Sequence, residues 1–346
     1  MDKRAGKRVK SERTTAQVSA HSLDRLFEKF YTAKVAEGRA QGTLQNYRWN
    51  YEFLTEYLDA KNIPRDIRLI TTDVIREYIV WMLTEKVRFD GSKYKPDAEK
   101  TVGLSPVSVN TRLRTLRTFF KFLTSEGYID HDPMANVKNV EEDENEIDVL
   151  TVDELKRLLA APNQRKYSDF RDYVLMNVLL DGFFRVNEAL TIRKQDIDFA
   201  SGMVTVRAEV AKSRKSRFVP LKKNTMKLLA ELIKETEDFD SEYVFLANYG
   251  EPLTANHFRS RLKEYAKRAG IQGRIHPHLF RHTAATMFLE AGGDMRHLQM
   301  ILGHSDLRMV MRYTHLSKAS LKNQHEQYSP LNEVVGKLNK ERKILR

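Results

Sequence analysis

The sequence predicts a mainly α-helical chain with a small antiparallel β-sheet, divided between two domains. Three observations carry this. Apolar residues recur at spacings of three and four over most of the length, one pair of alternating segments flanks a basic turn, and composition changes abruptly near residue 140. With 346 residues and 41% hydrophobic content, the chain can bury one large core or two moderate ones.

Residues 1–21, which include MDKRAGKRVKSERTTAQVS, are basic but lack the apolar centre of a signal peptide, and read as a flexible tail drawn to nucleic acid. A helical domain is expected over 22–136. Thr43 can cap a helix with Leu44, Tyr47, Tyr51, Leu54 and Leu58 on one face. Residues 86–103, rich in Gly, Pro and Lys, have no periodicity and read as a loop. Ser105-Pro106 then pairs an N-cap with a first-turn proline, and Val109, Leu113, Leu116, Phe120 and Leu123 share a face. Arg112, Arg114, Arg117 and Lys121 are assigned to the opposite face, as a solvated or a phosphate-binding surface.

Residues 137–149 form an acidic linker, with six carboxylates in VEEDENEID. The second domain, 150–318, opens with Thr151 and Glu154 at capping-box spacing. MVTVRAE (203–209) and RFVPL (217–221) read as strands around a basic turn that carries Lys212, Arg214 and Lys215. In the tail, 319–346, Leu331, Val334, Val335 and Leu338 form a stripe too narrow to be a core of its own.

A formal charge of +12, from 59 Lys and Arg against 47 Asp and Glu, suits a polyanionic partner, nucleic acid ahead of a membrane surface. With no cysteine, disulfides, thiolate metal sites and cysteine nucleophiles are excluded, and a cytoplasmic setting is expected. The apolar runs YIVWML (78–83) and YVLMNVLL (173–180) fall far short of the roughly 20 residues that span a bilayer.

Four short stretches carry chemistry. Pro277 opens a helix in whose first turn His278 and Arg281 are neighbours, where free N–H groups and the helix dipole favour an anion. A metal site from His276, His278 and His282 is disfavoured, because no carboxylate or thiolate joins them and Arg281 would repel a cation. Arg185 precedes Glu188 by three residues, so the carboxylate can orient the guanidinium; a structural salt bridge is the plain alternative. Lys212 sits on a turn, able to reach over a bound backbone or simply solvated. Finally, LGHSDLRMVMRYTH places Tyr313 nine residues after His304.

Together these residues resemble the tyrosine site-specific recombinases, the phage integrase family. Arg185 in FRVNEAL, Lys212 in AKSRKSRFVPL, His278 and Arg281 in HLFRH, His304 in LGHSD and Tyr313 in MRYTH occur in the family's order. TLQNYRWNYEFLTEYL and VSVNTRLRTLRTFFKFLTSEGYIDHDPM look like its helical core-binding domain, so the resemblance covers roughly 22–316. One departure is plain. The family usually has Thr-Gly and one apolar residue before the first arginine, whereas Gly182, Phe183 and Phe184 precede Arg185, displacing the glycine by one.

The resemblance implies a helical core-binding domain and a catalytic domain that close as a clamp on duplex DNA. Four protomers would assemble on two sites with paired half-sites, and Tyr313 would form a 3′-phosphotyrosyl link without metal, ATP or other cofactor. A phenol with a pKa near 10 needs a proton acceptor and a neutralised phosphate. Arg185 and Arg281 would grip the non-bridging oxygens, His278 would accept the phenolic proton, His304 would add a hydrogen bond, and Lys212 would protonate the departing 5′ oxygen. The resemblance also turns Arg112, Arg114, Arg117, Lys121, Arg214 and Lys215 into candidate DNA contacts, and it implies that the terminal helix passes to a neighbouring protomer, with folding back onto its own catalytic domain as the alternative. Integration, excision or transposition of a mobile element is the favoured role, with Xer-type dimer resolution as the alternative. A type IB topoisomerase-like enzyme and a catalytically silent DNA-binding protein are less well supported.

Overall fold

A computed structural model describes residues 21–91, 97, 100–142, 148–273, 275–314, 322 and 325–334. The basic tail, the centre of the acidic linker, and Val335 and Leu338 lie outside the described residues. The chain separates into two units, Met1–Glu144 and Asn145–Arg346.

In the first unit, four helices enclose one core: α1 (Leu23–Ala36), α2 (Gln41–Ala60), α3 (Thr72–Thr84) and α4 (Pro106–Ser125). Ser105 accepts the Ser108 backbone N–H at 3.4 Å and Pro106 occupies the first position, so α4 starts where the sequence places it. Its apolar stripe, from Val109 to Leu123, is buried. Helix α2 starts earlier than expected: its N-cap is Ala40, without a side-chain cap, and Thr43 lies inside the first turn. Burial of Leu44, Tyr51, Leu54 and Leu58, with Tyr51 stacked on Phe27 at 3.9 Å, anchors this helix. Packing of that kind outweighs a cap worth about 1 kcal/mol.

The basic face assigned to α4 does not exist as one surface. At 3.6 residues per turn, Arg112 points about 200° away from Arg114. Arg112 is half-buried, its guanidinium 3.9 Å over the Phe53 ring and its Nη1 donating to the Ser108 carbonyl at 2.8 Å. Arg117 donates to Asn139 Oδ1 at 2.7 Å and to the Val137 carbonyl at 3.0 Å, tying the chain after α4 back onto it. Arg114 and Lys121 remain exposed.

The second unit runs α5 (Val152–Ala160), α6 (Tyr167–Asp181), α7 (Val186–Leu190), β1 (Ile197–Asp198), β2 (Met203–Val206), β3 (Arg217–Pro220), α8 (Lys223–Glu235), α9 (Ala255–Arg268), α10 (Pro277–Glu290), α11 (Met295–Leu302) and α12 (Arg308–Met311). The Thr151–Glu154 capping box closes reciprocally at 2.8 and 3.2 Å. The sheet is antiparallel in the order β1-β2-β3, with Val204 opposite Val219 and Val206 opposite Arg217. Strand β1, only two residues long, is too short to show alternation in the sequence. Helix α6 lies at the centre, with Val174, Leu175, Met176, Val178 and Leu179 fully buried, and it carries the chain to the site. Among the described residues no helix is long and apolar enough to cross a membrane.

Candidate active site

The site begins where α6 stops. Gly182 has an ordinary φ of −96°, while Phe183 adopts φ +54°, so the turn falls on Phe183 and not on the displaced glycine. A left-handed conformation costs an L-residue about 1–2 kcal/mol. The Phe183 ring offsets this by burial, meeting Phe288 edge-on at 5.8 Å. Its carbonyl accepts Arg281 Nη1 at 2.6 Å. Gly182 is needed for another reason: a Cβ there would come within 2.1 Å of the Phe184 ring.

Arg185 is the N-cap of α7, and Glu188, 2% exposed, accepts both its backbone N–H at 3.1 Å and its Nη1 at 2.8 Å. The same carboxylate accepts Arg217 Nη2 at 2.7 Å, while Arg217 Nε donates to the Ile301 carbonyl at 2.9 Å. Arg217 thus joins β3, α7 and the end of α11. Sequence reading missed it, although the signal was present. Arg217 shares a strand face with the buried Val219, and a charge on a buried face requires a partner. Burial alone would raise the Glu188 carboxyl, but the hydrogen bonds and charges of Arg217 and Arg185 hold it below the usual carboxylate range.

Arg281 is 3% exposed. Besides Phe183 it bonds the Leu302 carbonyl at 2.7 Å, and its Nη2 lies 3.0 Å from His304 Nε2. A guanidinium only donates, so Nε2 is the acceptor and the His304 proton sits on Nδ1, which is buried without a partner. Burial, then the charge of Arg185, brings Arg281 down to about 9. Burial and the Arg281 charge bring His304 to about 4.

Tyr313, 6% exposed, packs with Phe183, Leu298, Leu302 and Val310. Its hydroxyl lies 3.0 Å from His282 Nδ1. Thus the histidine against the phenol is His282, one turn beyond the expected His278. His278 is exposed, 6.5 Å ring to ring from His276, and partial desolvation with the His276 and Arg281 charges holds it below the usual imidazole range. His282 is brought to about 4 by burial and by His278. Burial raises the Tyr313 phenol against the opposing charges of Arg281, Arg312 and Arg185.

Arg185, Glu188, Arg281, His304 and Tyr313 are therefore gathered, directly or through Phe183 and Leu302. Lys212, Arg214 and Lys215 are exposed on the β2–β3 turn, and no hydrogen bond or ion pair among the described residues holds the Lys212 ammonium.

The phage integrase family profile matches residues 148–320, and the phage integrase SAM-like domain matches 22–140. The chain belongs to the phage integrase family, the tyrosine recombinases. It is 28% identical over 315 residues to tyrosine recombinase XerD of Listeria monocytogenes serovar 1/2a, covering 89% of this chain and 99% of that one. It is 34% identical over 300 residues to tyrosine recombinase XerC of Oceanobacillus iheyensis, covering 83% and 90%. The fold is also that of the Tn1549 transposon integrase solved with a circular intermediate DNA, at a TM-score of 0.68, 21% identity and coverage of 89% and 99%. As a tyrosine recombinase, the protein is a DNA strand-transferring enzyme.

Proposed function

We propose that this recombinase cuts and rejoins duplex DNA at specific sites through a 3′-phosphotyrosyl link to Tyr313. One observation carries the reading. Among the described residues, the carboxylate of Glu188 bonds Arg185 and Arg217 and none bonds Arg281, so the site around Tyr313 holds an excess of positive charge. Such an excess suits a phosphodiester, whose charge grows in the transition state. Arg185 and Arg281 then bind the non-bridging oxygens, the unpartnered Nδ1–H of His304 donates to the phosphate, and Lys212 closes over the backbone to protonate the 5′ oxygen.

Tyr313→Phe is expected to bind duplex normally and to form no covalent adduct on nicked suicide duplexes carrying sequences the wild type selects from a random pool. Adducts that survive the change would refute Tyr313 as the nucleophile.

The two units are read as a clamp on DNA and the working assembly as a tetramer on two sites, with residues 319–346 passed to a neighbour. Leu331, 61% exposed on its own protomer, supports that exchange. Truncation after Ser329 tests it: single-site binding should persist while cooperative assembly is lost, and unchanged cooperativity would exclude exchange. A mobile-element role is retained. Xer-type dimer resolution is the second reading, favoured by nearly full-length similarity to XerD and XerC.

A further inference from the structure

We propose that His282 accepts the phenolic proton when Tyr313 attacks the phosphate, an inference that rests on the strand-transfer reading above. The argument starts from the phenol. Tyr313 is buried, and among the described residues its hydroxyl has a single hydrogen-bond partner, His282 Nδ1 at 3.0 Å. If Nδ1 carried the ring proton, it would donate to the phenolic oxygen and leave the O–H without an acceptor among the described residues. The satisfied arrangement has Tyr313 donating to a bare Nδ1, with the His282 proton on Nε2. This is the geometry of a nucleophile paired with its base.

His278 is placed differently. It lies one turn earlier on the same face of α10, is open to solvent and, among the described residues, makes no hydrogen bond to the phenol. That leaves it free to serve the phosphate beside Arg281.

In the step itself, the O–H proton moves to His282 Nδ1 as the phenolic oxygen bonds to phosphorus. The bond from phosphorus to the 5′ oxygen breaks, and that oxygen takes its proton from Lys212. The groups facing His282 are His278 and Arg281 from α10, His276 at its N-cap, and Arg312 and Tyr313 just after α12. Burial, with the opposing charges of the histidines and arginines among them, brings the imidazole to about 4, so it is neutral and its Nδ1 lone pair is open to the phenolic proton. A bound phosphate supplies the negative charge that raises its basicity as the proton arrives.

The test compares His282→Gln, His282→Ala and His278→Gln on the same selected, nicked duplexes, scoring adduct formation from pH 6 to 8.5. With a neutral base present, the wild-type rate should be nearly flat with pH. Without one, the phenol loses its proton to solvent, so both His282 variants should fall about 10²- to 10⁴-fold at neutral pH and rise about tenfold per pH unit. His278→Gln should keep the flat profile even if its rate drops. A flat profile and near-normal rate in His282→Gln, or a steep profile confined to His278→Gln, would overturn the assignment. Adduct-free wild type would refute the strand-transfer reading instead. Independently of DNA, ¹⁵N spectra should show His282 Nδ1 unprotonated and shifted by Tyr313→Phe. A protonated Nδ1 would also overturn the proposal.

Discussion

Arg117 on α4 and Arg281 on α10 look alike in the sequence, since both sit among apolar residues at helical spacing. Their environments separate them. Arg117 meets a carbonyl and an amide at the surface, where water can replace either partner, and its charge remains screened. Arg281 meets two carbonyls and a histidine in the interior, where no carboxylate among the described residues bonds it directly and Arg185 repels it. Arg117 tethers chain, whereas Arg281 keeps a buried charge that its partners do not balance. Local partners and dielectric, more than residue type, decide which role an arginine takes.

The largest expected effect lies at the buried end of this comparison. Arg281→Ala should reduce cleavage at least 10²- to 10³-fold by removing transition-state charge stabilisation. Lys212→Ala should slow it by about 10²- to 10⁴-fold, through loss of the general acid. A substrate with sulfur at the bridging 5′ position leaves without a proton, so it should rescue Lys212→Ala and not Arg281→Ala. Equal rescue would place the two cations in the same role and erase the distinction drawn here.

Next is the shared carboxylate. Glu188→Gln removes a buried partner from Arg185 and Arg217 and should cost about 3 kcal/mol or more in denaturant unfolding. Because the folded carboxyl is held below its unfolded value of about 4.3, its contribution is complete above that pH and is lost as pH falls through the lowered folded value. The gap between wild type and variant should therefore narrow below about pH 4.3. A gap independent of acid would mean that the ion pairs contribute little.

The smallest effect sharpens the surface end. If exposed Arg114 meets a phosphate, Arg114→Ala should reduce the salt slope of DNA binding by about 0.9. Arg117→Ala should leave that slope nearly unchanged and lower stability by about 1 kcal/mol. Reversed outcomes would put Arg117 on the DNA.

Much of this molecule was determined by its sequence. The α4 start, the Thr151 capping box and the β2–β3 pair follow from caps and alternation within a few residues, which are local forces. The order and spacing of Arg185, Lys212, His278, Arg281, His304 and Tyr313 point to the family by themselves, because that chemistry tolerates few substitutes. Tertiary structure decided what depends on residues distant in sequence. The turn moved to Phe183 because its ring finds Phe288 and its carbonyl finds Arg281. Arg217 reached Glu188 across 29 positions. The phenol met His282 because the end of α12 folds over the first turns of α10. Spacing along a chain fixes which side chains share a face, but only packing fixes which atoms are left to meet one another.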